Sequence, residues 1–567
     1  MCRTAMPFYV GAALAAVASL ADPPSAKADA FVIETIALQG DVAPDVVGRT
    51  FRLVTGDPIG PDLNANGNVV FTAFLDPRGF PDRGVWGGTP GDIGLIALEG
   101  DEPPGVAGQA YFIFRTEVVH NDAGQVALRA FLDNNLTGIW LGPPDGLALV
   151  ALEGAPAPDT AARTFSSLSG PVVLNDSGVI AFDAQLDGDA ADNEAIWVGL
   201  PNDLKIAARK GDLAPGAAAQ FTDLNTASLN DAGQIAFVAN VAAPAASDKG
   251  IWFGTDINDL ELVAREGDVT PEGLTIASIF NFVPLLDSLG NVAFTATVVA
   301  PAESDATAWI WSPATGLELI AREGDAAPQE ETFQGNMILI SLASGNLALR
   351  TSDPSNFTDQ RLYAGPPDEL ELVARSGDPA PDIPGRTFGR NLSATVNASG
   401  YLALQAILDG DNFEDALWFG RPGDLNLVMR QGDLIDGWAV QDPALLGGST
   451  EDGRVGALNE KSQFAVNDSG GSASFLVTPI TPLIEHLIDT IAALSLPRGA
   501  ERPLLKKLEH ALEKMNDDNP ANDSAAMGIM TGVLAVTKAK RGKQIPAAEA
   551  DRIVAEAEAI IHYLGLL

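Results

Sequence analysis

The sequence predicts an all-β propeller of four-stranded blades followed by a small bundle of α-helices. Three observations carry this. A turn of the form Asn-x-x-Gly recurs, at Asn64/Gly67, Asn121/Gly124, Asn175/Gly178, Asn230/Gly233 and Asn397/Gly400. A Gly-led turn, most often Gly-Asp, recurs with its glycine at Gly40, Gly100, Gly154, Gly211, Gly267, Gly324, Gly377 and Gly432, 53 to 60 residues apart. Between the two turns lies a short apolar phrase with a tryptophan, at Trp86, Trp140, Trp197, Trp252, Trp311 and Trp418. A fixed period of this length is the mark of an array of supersecondary units.

Each unit reads as four strands. In the one that begins at Phe221, a first strand runs to Leu229. Asn230-Asp231-Ala232-Gly233 then turns the chain, the Asn bonding local backbone and the Gly accepting positive φ. Gln234–Asn240 alternates as a second strand, Gly250–Gly254 is a third, and Leu260–Arg265 places Leu260, Leu262 and Ala264 on one face. Four antiparallel strands per unit with no helix between them describe a propeller blade.

The ends set the count. Seven units are complete. A lone strand, Glu34–Leu38, precedes the first Gly-Asp turn, and an incomplete unit with strands near 462–466 and 473–477 follows the last. If the N-terminal strand completes the last blade, eight blades close with no open edge. Seven blades with loose ends is the alternative. From Pro482 the apolar spacing changes to helical, as in Leu504, Leu505, Leu508 and Leu512, with Pro and Gly between the runs. The expected division is 1–30 as a signal peptide, 31–479 as propeller and 480–567 as a helical module.

Charge belongs to the propeller. Residues 480–567 carry 10 Lys+Arg against 12 Asp+Glu, and the rest carries 24 against 63, within a net charge of −41. Such a surface repels nucleic acid and anionic lipid. The only cysteine is Cys2, inside a segment with Arg3, an apolar run and Ala28-Asp29-Ala30. That pattern is a secretory signal with an A-x-A cleavage site, so a secreted, extracellular, cell-surface or periplasmic protein without disulfides is expected. No later apolar run is long enough for a transmembrane helix, and a monomer is expected.

Candidate sites come from the places where the repeat changes. The residue before the Gly-turn dipeptide is Leu38, Leu98 and Leu152 on one arc, then Arg209, Arg265, Arg322, Arg375 and Arg430 on the rest. An asymmetric docking face is one reading, and pairing of each Arg with a nearby carboxylate is the other. Asp187, Asp189 and Asp192 in one hairpin, and Asp409, Asp411 and Asp415 in another, offer oxygen ligands at short spacing that suit Ca²⁺. Neither hairpin has the full calcium-loop pattern, and a solvated tip is the plainer reading. No other cofactor is indicated. Trp438 lies outside the repeat and is a ligand-stacking candidate, whereas the repeated tryptophans read as packing between blades. The Glu-Gly-Asp carboxylates recur with the blades, which argues for a turn motif rather than a catalytic pair. No nucleophile elbow, zinc-protease helix or phosphate loop is present.

The repeated phrases, Leu229-Asn230-Asp231-Ala232-Gly233-Gln234-Ile235-Ala236-Phe237 among them, resemble secreted bacterial tandem-repeat proteins with the pattern NxxGxxAF. The resemblance covers Phe31 to Pro479 and departs from the pattern at Asp287, Leu342 and Asn459, where irregular blades are expected. It implies a repeat and no activity. Leu483-Ile484-Glu485-His486-Leu487-Ile488, Leu504–Glu509, Arg541–Ile545 and Ala557–Ile561 resemble the FIMAH-type module at the C-termini of secreted bacterial proteins. Together these point to a non-catalytic binding or scaffold protein whose partner is a cell-surface protein or glycan and whose tail docks or retains it. The alternative is an extracellular polysaccharide hydrolase or lyase with carboxylates at the propeller axis.

Overall fold

The computed structural model describes residues 31–566 apart from 53–60, 281–282, 302–303, 411–413, 446–447, 450–455, 469–471 and 517–522. The expected signal segment and Asp411 lie outside the described residues. Among the described residues the chain forms eight blade sheets, antiparallel but for one short parallel pair in the eighth, a separate two-stranded hairpin, and then four helices. In the fourth blade the strands are Ala219–Leu224, Ile235–Val241, Lys249–Gly254 and Glu261–Arg265, hydrogen-bonded in that order, with the short strand Ser228–Leu229 also on Ile235–Val241.

The eighth blade joins the two ends of the propeller. Strand Phe31–Leu38 lies antiparallel on Ala473–Pro479, from Phe31 opposite Pro479 to Leu38 opposite Ala473. Ala473–Pro479 pairs in turn with Phe464–Asp468. The ring therefore has eight blades, and its last sheet takes its outer strand from the N-terminus.

The Asn-x-x-Gly turns do more than reverse the chain. Asn230 is fully buried. Its Oδ1 accepts the Gln234 N–H at 3.0 Å, which holds its own turn. Its Nδ2 donates to the Asp287 carbonyl of the next blade at 2.9 Å. The same step runs from Asn64 to Asn121, Asn121 to Asn175, and Asn175 to Asn230. Further round, Asn397 donates to Asn459, and Asn459 donates to Asn64 at 2.8 Å, which closes the circle. Where the repeat departs, the chemistry is replaced rather than lost. Asp287 cannot donate, so its Oδ2 accepts the Gly345 N–H, and Asn346 supplies the donor to the seventh blade. The blade at Asn459 was expected to be irregular, and it is: Gly448–Ser449 pairs parallel with Gly456–Leu458, and Pro443–Leu445 joins Phe464–Asp468 off the main strand order. Ser462 adopts φ 65° and Asn459 keeps both bonds. Asn230→Ala strips a buried carbonyl and a buried N–H of partners, and a loss of about 2–3 kcal/mol in denaturant unfolding is expected. The exposed Asn66→Ala should cost less than about 0.5 kcal/mol in the same assay.

The tryptophans lock each blade to the chain entering it. Trp252 is fully buried, and its Nε1 donates to the Pro215 carbonyl at 2.9 Å. Trp86, Trp140, Trp197 and Trp418 do the same to Pro44, Pro104, Pro158 and Pro381. In the fifth blade the repeat position belongs to Trp309, not to Trp311 as the spacing suggested. Trp309 stands opposite Phe294 as Trp252 stands opposite Phe237. Its Nε1 donates to Thr307 Oγ1. Trp311 packs instead against Phe253 of the neighbouring blade.

The helices α1 (Ile480–Ala493), α2 (Arg498–Met515), α3 (Asp523–Lys540) and α4 (Ala547–Leu564) begin directly after the last strand. They bury Ile484, Leu487, Leu504, Leu508, Ile553 and Ala557 in a core that also takes in Val32 of the N-terminal strand. Tyr401 Oη donates to Glu485 at 2.8 Å, and Gln463 Nε2 donates to Tyr563 Oη at 3.2 Å. These contacts lie beside the turns between first and second strands, so the helices sit on that face of the ring. The opposite face carries the second-to-third strand hairpins and the connections between blades. Among the described residues no helix is long and apolar enough to cross a membrane.

Candidate functional site

The glutamate of the Glu-Gly turn braces one blade against the next. Glu153 Oε2 accepts the Thr137 N–H of its own blade, and its Oε1 accepts the Leu168 N–H of the following one. Glu266 accepts the Ile279 N–H across the next-but-one seam. Glu99 holds Asp82 and Arg83. A carboxylate taking two or three backbone donors in this way is structural. At the seam after the third blade Lys210 stands in the glutamate place and Glu194 serves instead, accepting from Leu224. Burial first, and then Asp223, push the Glu194 carboxyl up to about 7.

At the sixth blade the row breaks. Ser376 replaces the glutamate, and its short hydroxyl stays local, donating to the Thr358 carbonyl and accepting the Gln360 N–H. Gln360 takes over the bridge to Leu392 of the seventh blade. In the same blade Tyr363 occupies the tryptophan position, edge-on to Phe333 at 5.1 Å in the core shared with the fifth blade. The first strand of the seventh blade, Phe388–Val396, bulges twice. Phe388 is opposite Leu408 and Arg390 opposite Ile407, which in turn is followed by Ser393 opposite Gln405. The second bulge places Asn391 at φ 57°. Bulges re-aim side chains and gather beside functional sites.

Beside Ser376 lies a cavity of about 410 Å³ between the sixth and seventh blades, within the range of small-ligand sites. Asn356, Thr358, Asp359 and Ser376 line it from one blade, and Arg390 and Asp409 from the other. Ile407 adds an apolar wall. Gly389 also lines it, where a Cβ would meet the Ile407 carbonyl oxygen at 2.8 Å, so the backbone itself forms part of the surface. Asp359 is paired with Arg361 at 2.9 Å. The cavity opens among the second-to-third strand hairpins, on the face opposite the helices.

The other candidate residues are placed as follows. Arg209 pairs with Asp192 at 2.8 Å, Arg265 with Asp268 at 2.9 Å and Arg375 with Glu330 at 2.8 Å. Arg322 donates to the Ser304 carbonyl, and Arg430 lies 3.7 Å from Asp433. Asp187 accepts the Thr164 N–H and Asp189 the Ala191 N–H. Asp192 is shared by Arg163 and Arg209, and the hydrogen bond from Arg163 is first in holding it below the usual carboxylate range. Among the described residues no three His, Cys, Asp or Glu side chains form a group able to hold a metal ion. Asp409 and Asp415 face different seams. Asp409 lines the cavity, whereas Asp415 meets Gln405 and Asp442 toward the eighth blade. Trp438 lies half-buried in a two-stranded hairpin, its Nε1 donating to the buried Asp468 at 3.0 Å.

Asp415 carries a pH dependence. Burial, then the hydrogen bond and the charge of Asp442, push its carboxyl from 3.8 up to about 7. A raised folded value means that the proton is held more tightly in the folded state. The stabilisation is complete below about pH 4 and is lost as pH rises through about 7. Asp415→Asn keeps a neutral group at every pH. Between pH 5 and pH 8 the native chain should lose about 1–3 kcal/mol more than the variant in urea unfolding. Equal slopes would show that the pair holds no proton.

A family described as of unknown function matches residues 26–137, 129–276, 243–359 and 278–469. No curated protein matches the chain. Solved structures with some likeness include a Mycobacterium tuberculosis puromycin-hydrolyzing peptidase, 13% identical with TM-score 0.34, over 67% of this chain and 53% of that one. The Pyrococcus horikoshii acylaminoacyl peptidase is 11% identical with TM-score 0.34, over 65% and 52%. The six-bladed Aleuria aurantia lectin is 10% identical with TM-score 0.23, over 54% and 90%. The chain thus spans about half the length of those two peptidases.

Proposed function

Because the chain belongs to the DUF7453 family, a family defined by no known activity, we propose its function from the site alone: a recognition propeller that binds without turning over its ligand. The cavity between the sixth and seventh blades is the binding site. One observation carries this reading. The residues that recur around the ring are engaged in holding blades together, whereas at the seam of the sixth and seventh blades the short Ser376 stands in the glutamate place and a polar cavity opens beside it.

The reading extends to location and to the tail. The signal-like segment at 1–30 supports secretion to the extracellular space, cell surface or periplasm. The helices meet the seventh and eighth blades on the face opposite the cavity. Their likeness to FIMAH-type modules supports a role in docking or retention. The alternative, hydrolysis at the axis, is disfavoured by the carboxylates near the Asn turns. Asp122, Asp176 and Asp231 each accept the backbone N–H of the preceding blade's turn, which leaves them as structural acceptors. Incubation of the purified chain with extracellular polysaccharide and envelope fractions tests the proposal. Retention without release of reducing ends is expected, and sustained release of reducing ends would overturn it.

A further inference from the structure

Resting on that reading, we infer that the cavity takes a neutral sugar residue of a surface glycan. The wall chemistry is the argument. A sugar ring presents hydroxyls that both donate and accept, set around a C–H surface. The cavity offers the same mixture in reverse. Asn356 supplies an amide N–H₂, Thr358 and Ser376, whose hydroxyl hydrogens go to Asn356 and to the Thr358 carbonyl, supply hydroxyl acceptors, Arg390 lends guanidinium chemistry, and Asp359 and Asp409 supply carboxylate acceptors. Ile407, half-buried in the wall, offers an apolar surface to ring C–H groups.

Charge selects against the other classes. The wall carries one cation, Arg390, and one carboxylate, Asp409, besides Asp359, which Arg361 already matches at 2.9 Å, so it holds no surplus of either sign. An anionic ligand gains little there and must also approach a protein of net charge −41. A cationic peptide finds no unmatched pair of carboxylates. Volume points the same way, because about 410 Å³ holds a small ligand and not a folded epitope.

The test uses the full chain on an array of neutral and anionic glycans, with calorimetry on the best neutral glycan for the native chain, Ser376→Glu and Arg390→Ala. Ser376→Glu introduces the side chain that holds this place at Glu99, Glu153 and Glu266. Neutral glycans are expected to bind, and both variants are expected to bind at least about tenfold more weakly at an unchanged melting temperature. If Ser376→Glu does not fold, Arg390→Ala and Asn356→Ala carry the comparison. Three results would overturn the inference: binding confined to anionic glycans, neutral-glycan binding unaltered by the variants, or no glycan bound. In the last case, envelope material retained by the native chain and lost with Ser376→Glu would leave the cavity as the binding site while excluding sugar. Retention of neither would remove the recognition reading as well.

Discussion

Deletion of residues 31–38 is expected to abolish cooperative unfolding and to make the chain associate. The deleted strand covers Ala473–Pro479 along its whole length, from Phe31 opposite Pro479 to Leu38 opposite Ala473. It also buries Val32, Ile36 and Ala37. Burial of Val32 and Ile36 alone contributes about 3–6 kcal/mol, a large share of the net stability of a folded domain. The loss reaches further than one blade. Val32 lies in the core of the helical module, and Ile36 and Ala37 lie in the core shared with the first blade. Without them the strand Ala473–Pro479 presents an unpaired edge, which invites a second copy to pair with it. Calorimetry with light scattering checks both effects. A peptide spanning residues 31–38, added to the shortened chain, should restore part of the transition. An unchanged transition in the shortened chain would support a ring that closes without this strand.

Trp252→Ala is expected to cost about 3–5 kcal/mol, among the largest effects of a single substitution. The indole is fully buried. It meets Phe221 edge-on at 5.0 Å and stacks on Phe237 at 6.2 Å. Its Nε1 holds the Pro215 carbonyl in the connection from the third blade. Truncation therefore leaves a cavity, removes two aromatic contacts and strands a carbonyl. Trp252→Phe keeps most of the volume and loses the hydrogen bond, so it should fall at about 1–2 kcal/mol. Trp438→Ala gives the contrast. That ring is half-buried in a hairpin outside the main sheets, and a smaller loss is expected. Urea titrations of the three variants order them directly.

The ring was legible because its architecture is written once per blade. Turn spacing set the number of units, and the two incomplete ends showed how they join. Where reading failed, the cause was local. Ala306-Thr307-Ala308-Trp309-Ile310-Trp311 places two tryptophans at period two on one strand, so alternation alone cannot choose between them. The pairing of Trp309 with Phe294 settles it. The irregular blade expected at Asn459 is there, but its turn holds although Ser462 lacks the freedom of glycine. A single residue at positive φ costs of order 1–3 kcal/mol, which the surrounding Asn459 bonds outweigh.

The cavity was harder to see. Substitution of glutamate by serine at 376 signals nothing until the glutamates are known to bridge blades, and a strand bulge leaves no fixed mark on sequence. Leu342, Arg375 and Asp409 drew attention nearby for other reasons. Only Asp409 lines the cavity, while Arg375 turns to Glu330. The signal that could have found the site was the interruption of the glutamate row by Ser376. The paired carboxyls Asp415 and Asp442 had no such signal, because Asp442 lies outside any repeat position.

The division of labour between repeat and exception is tested most directly by a crystal of the full chain soaked with neutral methyl glycosides. The account predicts a sugar ring between the sixth and seventh blades, within hydrogen-bonding distance of Ser376, Arg390 and Asp409. A sugar bound instead at the ring axis beside Asp122, Asp176 and Asp231 would contradict it.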